Sequence, residues 1–391
     1  MAITPALLSC AATFEAWMKD ECLPLWAERG IDKATGGHYE QLDATGLPNL
    51  CAHNRVRVQA RQVFSYAYAY SKGWLPVGAD MANELLHFMA SHAVHPIAQQ
   101  GFVHLMDARF NVVDTRQDLY DHAFVFLAYA AVYKATGCKA VLQAATQLLS
   151  YWDEQFGSIA GGWSEGDYDA PHRRQNPHMH LFEAFMSLYE CSNDARWLAR
   201  ASEIFALFQT RFFDAKRGVV LEYFDHDWQP YTAVLGTQIE PGHMMEWVWL
   251  LCWYQRLSGH DMKRYTQPLY AQALQLGFYG QSKLMFDLVY IDSEATVTLH
   301  SGTKRCWPTT ELIKAHIAQA RAGDSQAEKL AVEAIEQLFT YFINAETVGG
   351  YCDQRGENNE VINANIAAST LYHLIVACGE VAQYCSDMSA Q

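Results

Sequence analysis

The chain has 391 residues, half of them hydrophobic, with 11 Trp, 21 Tyr and a formal net charge of −15. This length suits either two or three domains or one large barrel. The acidic balance disfavours nucleic acid and anionic membranes as partners, because both require basic patches on the protein. We therefore expect a small ligand that is neutral or is held by a few local arginines.

The ten cysteines are scattered without any CxxC pair. This pattern indicates reduced thiols rather than a disulfide framework or a zinc site. The first residues, MAITPALLSCAATFEAW, lack the basic start of a signal peptide, and the sequence holds no run of about 18 uncharged apolar residues. We predict a cytoplasmic protein without a membrane partner, and the sequence leaves monomer and homodimer open.

Six short stretches, most of them rich in glycine, recur along the chain. In order they are TGGHYEQLDATG (35–46), QGFVHLMDARFNVVD (100–114), AGGWSEGDYDA (160–170), RGVVLEYFDHDW (217–228), SKLMFDLVYIDSEATV (282–297) and VGGYCDQRGENNEV (348–361). Counted from Gly37, Gly101, Gly162, Gly218, Leu284 and Gly350, they are spaced 56 to 66 residues apart. Several contain an Asp where a hairpin turn needs one (Asp43, Asp107, Asp225 and Asp292). We predict a short β-hairpin in each stretch.

An amphipathic helical segment precedes each of these stretches, and a more apolar one follows it. TFEAWMKDECLPLWAERG is of the first kind and PGHMMEWVWLLCWYQRLSG is of the second. Amphipathic helices belong on the outside of a protein and helices that are apolar all round belong inside. Six such pairs predict an all-α fold, an (α/α)6 barrel forming a single domain over residues 1–391, with an open solenoid as the alternative. Glycines at the ends of several inner segments suit helix C-caps (Gly73, Gly137, Gly259 and Gly323).

Polar side chains gather near the starts of the predicted inner helices. In chain order they include Arg57, Arg61, Tyr120, His122, His180, Glu183, His243, Glu246, Trp307 and Glu311, and His373 lies within the last helix. A single buried histidine is more often structural than catalytic, but four inner helices carry one here. We therefore expect a shared central pocket. A metal site built from His180, His243 and His373 is less favoured because the HExxH signature is missing, and we predict neither metal nor cofactor.

Five stretches carry a resemblance to a known family: VQARQVFSYAYAY, NPHMHLFEAF, PGHMMEWVWLL, CWPTTE and LYHLI. Together and in this order they resemble the N-acylglucosamine 2-epimerase family, which includes cellobiose epimerases and mannose isomerases. The resemblance implies an (α/α)6 barrel and metal-independent chemistry at C2 of a free reducing sugar. By the same resemblance His243 and His373 are catalytic, Arg61 binds a substrate oxygen, and His180 and Glu246 support the pocket.

Isomerising a sugar requires removal of a proton from the carbon beside the carbonyl while the enediolate oxygen is stabilised. Imidazole suits the proton transfer because both of its protonation states are accessible near neutral pH. We predict that His373 is the base at C2 and that His243, assisted by Glu246, is the second acid/base group. The predicted sugar-binding residues are Arg57, Arg61, Tyr120, His122, His180, Glu183, Trp307 and Glu311.

The predicted function is isomerisation of the D-mannose/D-fructose type through a cis-enediolate. Trp307 is the only aromatic of the CWPTTE stretch, whereas disaccharide epimerases of the family tend to have two, which disfavours a cellobiose-type role. A 2-epimerase acting on N-acyl-D-glucosamine or D-mannose is the alternative. A glycoside hydrolase with a carboxylate pair chosen from Asp121, Glu183, Glu246 and Glu311 ranks lower, and a non-catalytic sugar-binding protein ranks lower still.

Overall fold

The computed structural model describes residues 3–292, 296–343 and 346–390. Its helices alternate between an outer and an inner layer. In chain order they are α1 (Pro5–Trp17), α2 (Leu23–Arg29), α3 (Val56–Ser71), α4 (Gly78–His92), α5 (Leu119–Thr136), α6 (Lys139–Phe156), α7 (Gln175–Ser192), α8 (Ala195–Leu207), α9 (Pro241–Ser258), α10 (Lys263–Gly277), α11 (Cys306–Arg321), α12 (Ala327–Leu338) and α13 (Ala368–Ser389). A π-helical turn, Met18–Cys22, joins α1 to α2, so that the two form one outer element.

The inner helices form a closed ring. Helices α3, α5, α7, α9, α11 and α13 each contact the next, and α13 contacts α3. They are buried on nearly every side, whereas outer helices such as α6 bury a single stripe. Helix α1 packs against both α12 and α13 and thereby completes the outer layer. The predicted (α/α)6 barrel is confirmed, and the open solenoid is wrong.

The two kinds of connection differ sharply in length. The inner helices α3, α5, α7, α9 and α11 each pass to the following outer helix through a short turn. The inner helices α5 and α9 end at Gly137 and Gly259, whose φ angles of 69° and 76° favour glycine. Each outer helix returns to the inner layer through a long connection that carries strands. The long connections therefore all lie at the end of the barrel where the inner helices begin.

Fifteen very short strands occupy these long connections in the described residues. They are β1 (Gln41–Leu42), β2 (Asn54–Arg55), β3 (Leu105–Met106), β4 (Val112–Asp114), β5 (Arg173–Arg174), β6 (Phe213–Asp214), β7 (Val219–Val220), β8 (Tyr223–Phe224), β9 (Gln238–Ile239), β10 (Val289–Ile291), β11 (Val297–Leu299), β12 (Lys304–Arg305), β13 (Gln354–Arg355), β14 (Val361–Asn363) and β15 (Ile366–Ala367). Turn aspartates behave as predicted; Asp43, for example, accepts hydrogen bonds from the backbone N–H groups of Thr45 and Leu47.

Pairing between these strands extends beyond the hairpins that the repeats predict. Hairpins form between β3 and β4, β6 and β7, β10 and β11, and β13 and β14. Pairings between β2 and β3, β5 and β8, β9 and β10, β12 and β13, and β15 and β1 join successive connections, and a bridge between Asp118 and Gly166 joins the remaining two. The result is a ring of antiparallel pairs around the mouth of the barrel.

The hairpin prediction is corrected in two stretches. In 35–46, strand β1 pairs with β15 from the far end of the chain, and 160–170 holds only isolated bridges. Residues 293–295 of the fifth stretch lie outside the described residues. Among the described residues, no helix combines the length and the apolar character needed to cross a bilayer.

Candidate active site

A cavity of about 430 Å³ opens at the strand-bearing end of the barrel. Eight of the eleven residues predicted for the site line it: Arg57, Arg61, Tyr120, His180, His243, Glu246, Trp307 and His373. They come from all six inner helices, mostly from the first two turns. The parallel arrangement of these helices thus brings together side chains that are far apart in the sequence.

Three predicted residues lie outside this cavity. Glu183 and Glu311 are buried beneath it, where they contact His180 and His373. His122 faces away from it: its Nε2 accepts a hydrogen bond from the backbone N–H of Phe102, and its ring packs against Trp152 of α6. Because residues on a helix turn by roughly 100° each, His122 points nearly opposite to Tyr120. The expectation that His122 binds substrate is therefore wrong.

Carboxylates surround His243 at the start of α9. Its Nδ1 lies 3.0 Å from Glu222 Oε2 and 3.6 Å from Glu240 Oε2. Burial opposes the charged form, but Glu240 and Glu222 outweigh it and raise the pKa of His243 to about 10. The imidazole is therefore protonated at neutral pH. The predicted partner, Glu246, does not bond to this ring although it lies one helical turn away.

Glu222 was not predicted, and it reaches His243 from the connection between β7 and β8. Gln175, the first residue of α7, donates from Nε2 to Glu222 Oε2 at 2.9 Å. The indole Nε1 of Trp247 in turn donates to Gln175 Oε1 at 2.8 Å. This chain fixes the carboxylate against the histidine. The only available sequence signal was an acidic residue within the fourth repeat, RGVVLEYFDHDW.

His373 lies in the opposite electrostatic environment. Its Nδ1 lies 2.8 Å from Glu311 Oε1, and the other oxygen of Glu311 pairs with Lys314 Nζ at 2.5 Å. Burial, followed by the positive charges of Arg61 and Lys314, lowers the pKa of His373 well below its ordinary value. The ring is therefore neutral at pH 7. With Nδ1 bonded to Glu311, Nε2 is the nitrogen left to accept a proton.

Trp307 lies between the two imidazoles. Its ring centroid is 5.1 Å from that of His243 and 5.7 Å from that of His373. All three side chains line the same cavity and are almost entirely buried. The two histidines thus face one compartment and share Trp307 as a neighbour.

Arg61 differs from the other arginines of the cavity. Arg55, Arg57 and Arg305 each pair with a carboxylate, whereas Arg61 has none within ion-pair distance among the described residues. It donates instead to the Ser369 carbonyl and the Tyr120 hydroxyl, and its guanidinium lies 4.0 Å from the centre of the Phe124 ring. A buried guanidinium without a counter-ion is suited to stabilising a developing oxyanion.

Glu246 is a second group with unused bonding capacity. Both carboxylate oxygens are buried and lack a hydrogen-bond partner among the described residues. The ring of His180 lies within ion-pair distance: its Nδ1 is 3.9 Å from Glu246 Oε1 and 3.2 Å from Glu183 Oε2. Buried carboxylate oxygens normally accept hydrogen bonds. Glu246 is therefore positioned to receive hydroxyl groups from a ligand in the cavity.

A model of the N-acylglucosamine 2-epimerase (GlcNAc 2-epimerase) family matches residues 37–377 of the chain. The chain belongs to the N-acylglucosamine 2-epimerase family. It is 30% identical over 380 residues to the mannose-6-phosphate isomerase of Rhizobium meliloti, covering 95% of this chain and 96% of the relative. The D-mannose isomerase of Thermobifida fusca is 26% identical over 372 residues, covering 88% and 87%.

Among solved structures, the cellobiose 2-epimerase of Spirochaeta thermophila superposes with a TM-score of 0.85 at 18% identity, and 98% of each chain is covered. That likeness supports the barrel fold. The family and its relatives are sugar isomerases and epimerases, so this family member is an enzyme of that class.

The carboxylates proposed for glycoside hydrolysis are mostly engaged in this epimerase-family site. Asp121 bonds to Arg57 and His104, Glu183 to His180 and Tyr372, and Glu311 to His373 and Lys314. Among the four described candidates, only Glu246 has both carboxylate oxygens without a hydrogen-bond partner. A hydrolase needs two carboxyl groups that face the scissile bond, and this arrangement offers one.

Among the described residues, three largely buried clusters contain donor atoms close enough to hold a cation. They are His180, Glu183 and Glu246; Glu222, Glu240 and His243; and Glu246, Glu311 and His373. In each cluster the histidine already bonds to a carboxylate, which occupies one of the ligand atoms. His180, His243 and His373 fall into different clusters and do not form the joint site considered from the sequence. Independence from metal stays a prediction.

Proposed function

We propose that the enzyme is an aldose–ketose isomerase that interconverts D-mannose and D-fructose. The observation that carries this proposal is the pair of histidines in one cavity with opposite protonation. His243 has a pKa raised to about 10, and the pKa of His373 is lowered well below its ordinary value. Two titratable groups whose pKa values are shifted in opposite directions by their surroundings are suited to act as acid and base. The relatives named as D-mannose isomerases support the choice of sugar.

The reaction begins with an open-chain aldose lying against Trp307. His243 donates a proton to the carbonyl oxygen O1 while neutral His373 takes the proton from C2, which yields a cis-enediol. His373 then returns its proton to C1 on the same face, and His243 recovers a proton from the hydroxyl at C2. A C1–H bond replaces the C2–H bond, and the carbonyl moves to C2. Both histidines end in their starting protonation states.

The other residues of the cavity bind and stabilise the sugar in this proposal. Arg61 stabilises the negative charge that develops on the enediolate oxygens, since its own charge has no carboxylate partner. Glu246 accepts sugar hydroxyls, with His180 and Tyr120 beside it. Glu183 and Glu311 act through the histidines that they hold. The substrate is an unphosphorylated hexose, because the remaining arginines of the cavity are already paired.

Proton NMR in D2O with D-mannose and no added metal tests the proposal. We expect fructose to form with deuterium at C1, and deuterium to enter C2 of mannose only through the reverse reaction. His373→Ala and His243→Ala should each lower the rate by about 10²–10⁴-fold, the usual contribution of a general acid or base. Glucose as the first product would instead indicate a 2-epimerase, in which His243 returns the proton to C2 from the opposite face.

A matched control separates catalysis from the loss of any buried imidazole. His122 is also buried on an inner helix but faces α6. We expect His122→Asn to retain product identity and most of the turnover, even if it lowers the stability. Equal losses in His122→Asn and His373→Ala would contradict the assigned roles. EDTA should leave the wild-type rate unchanged if the chemistry is independent of metal.

A further inference from the structure

A second cavity, of about 440 Å³, lies at the opposite end of the barrel. Its walls come from the middle and the C-terminal ends of all six inner helices, and small side chains such as Ala130, Ala131 and Val376 leave its centre open. Protein interiors are normally close-packed. This cavity is as large as the candidate active site, and it opens to solvent past the exposed side chains of Lys134, Arg256 and Gln383.

One wall of this second cavity is aromatic. The rings of Trp249 and Trp253 lie 5.5 Å apart at 42° to one another, and Phe64 and Tyr68 also line the space. The indole Nε1 of Trp253 is buried and has no hydrogen-bond partner among the described residues. A buried N–H donor without an acceptor is costly. This wall therefore fits a flat apolar face that carries an acceptor near its edge.

The mouth of the second cavity is locally basic in an otherwise acidic protein. Lys72, Lys134 and Arg256 have no carboxylate within ion-pair distance in the described part of the chain, and only two acidic side chains, Glu190 and Glu380, share the mouth with them. Burial lowers the pKa of Lys72, and the like charge of Lys134 adds to the effect, although Glu380 opposes it. An anion between the two lysines would relieve this repulsion.

The second cavity is connected to both histidine-bearing networks of the active site. Glu183 forms part of its lining, and the same carboxylate accepts hydrogen bonds from His180 at 3.2 Å and from the Tyr372 hydroxyl. Trp249 of the aromatic wall contacts Lys314, whose Nζ lies 3.8 Å from the ring centre.

Lys314 continues this second route into the active site. It pairs with Glu311, and Glu311 holds His373. A molecule in the second cavity would therefore contact Glu183 directly, and through Trp249 it would contact the pair that holds His373.

We infer that the second cavity is a ligand site for a small organic anion with a flat apolar ring, and that its occupation changes turnover at the opposite end. The binding half of this inference is independent of the proposed function, and the coupling half rests on it. Stacking on the indoles provides affinity for the ring, while Lys72 and Lys134 provide preference for the anion.

Isothermal titration of the full chain with naphthalene-2-sulfonate tests binding. We expect one molecule per chain, with binding that persists in saturating D-mannose. The exposed-site variant Lys134→Glu should weaken binding by about five-fold or more, and neutral 2-naphthalenemethanol should bind wild type more weakly by a similar factor. Ser187→Trp, which fills the cavity, should abolish binding. His373→Ala, which changes no residue of the lining, should retain it.

Several results would overturn the site: no binding, complete displacement by mannose, or equal affinity in wild type, Lys134→Glu and Ser187→Trp.

Coupling is measured as the effect of the bound probe on mannose turnover, and we expect kcat/KM to change by at least about two-fold. The probe and mannose should also alter each other's binding affinity by the same factor. Unchanged turnover with the probe bound refutes the coupling, whereas probe binding by a chain that does not isomerise mannose refutes only the proposed function.

Discussion

At the scale of single residues, the two imidazoles of the cavity differ through their neighbours. Two carboxylates, Glu222 and Glu240, face His243, whereas the charges of Arg61 and Lys314 reach His373. Both rings are buried to the same extent. Their environments alone therefore move the pKa values of one side-chain type in opposite directions, as the proposed acid and base roles require.

Glu222→Gln tests the carboxylate partner of His243. The folded pKa of His243, about 10, exceeds its ordinary value of 6.5, so the charged form is the stabilised one. Its contribution to stability is complete below pH 6.5 and is lost as the pH rises through 10. We expect the alkaline limb of kcat/KM near pH 10 in wild type, and about 1–3 units lower in Glu222→Gln.

The exposed-residue variant Glu336→Gln on α12 is the control for this pH profile and should leave the limb in place. An unshifted alkaline limb in Glu222→Gln would show that Glu222 does not set the protonation of His243.

On the acid side, His373 stays neutral well below pH 6.5, so activity should persist into acidic conditions before it declines.

Lys314→Met should strongly destabilise the protein. Lys314 and Glu311 are both fully buried, and removing the cation leaves a carboxylate that burial and Glu246 already disfavour as an anion. Breaking such a pair costs about 3–5 kcal/mol. Urea unfolding followed by circular dichroism measures the change. The double variant Glu311→Gln/Lys314→Met should recover part of the loss, and Lys329→Met, at an exposed pair with Glu333, should cost less than about 1 kcal/mol.

The sequence was sufficient to predict most of the inner-helix residues that line the cavity. It was not sufficient to predict the charged residues that bond to them. Helical spacing places Arg57 and Arg61 one turn apart, and Trp307, at the start of its helix, lies at the mouth of the ring. Spacing does not reveal which connection folds over a helix start, so Glu222 escaped prediction. Lys314 was missed for a different reason. It lies three residues after Glu311 on α11, and a glutamate and a lysine at this spacing commonly form an ion pair on an exposed helix face.

At the scale of elements, an arginine–carboxylate pair repeats at the start of three inner helices. Arg55, Arg174 and Arg305 are the N-cap residues of α3, α7 and α11. In each case the backbone N–H and the guanidinium both contact one acidic side chain from the preceding connection, namely Glu40, Glu165 and Asp287. These pairs orient the helix starts. The mouth therefore contains several arginines whose charge is already neutralised.

Gly137→Ala tests the cap that ends α5. Gly137 has a φ of 69° and nothing within 4 Å of an added Cβ, so the substitution introduces only backbone strain. We expect a loss of about 1 kcal/mol, measured from the urea midpoint. Asn193 ends α7 with a φ of 57°, so Gly137→Asn is the matched control and should lose less. Equal losses would mean that conformational preference at this cap is unimportant.

At the scale of the whole molecule, the repeat period and the alternation of apolar and amphipathic helices were sufficient to predict the barrel. The ring of strand pairs was not predictable. Two-residue strands have no alternating pattern to detect, and their partners lie in other repeats, as with β1 and β15. The sequence therefore indicated the turns but not the pairing between connections.

Removal of residues 1–29 tests how the ring closes. Helix α1 packs against α12 and α13, and α1 and α2 together carry side chains that are completely buried, including Leu7, Phe14 and Trp26. Without them a large apolar surface becomes exposed. We expect the truncated chain to be insoluble or to lack a cooperative thermal transition, whereas removal of residues 1–3 should leave both solubility and melting unchanged. A soluble, cooperatively melting truncation would contradict this role.

The pairing of β1 with β15 also constrains when the protein can fold during its synthesis. The backbone of the first long connection holds the start of the last inner helix, where Ala368 N–H donates to the Glu40 carbonyl. His373, the proposed base, follows five residues later. Strand β1 can therefore find its partner β15 only after synthesis has passed residue 367. A nascent chain that stops before this point lacks both the pairing and one of the two histidines, so turnover should begin only once this part of the chain has been made.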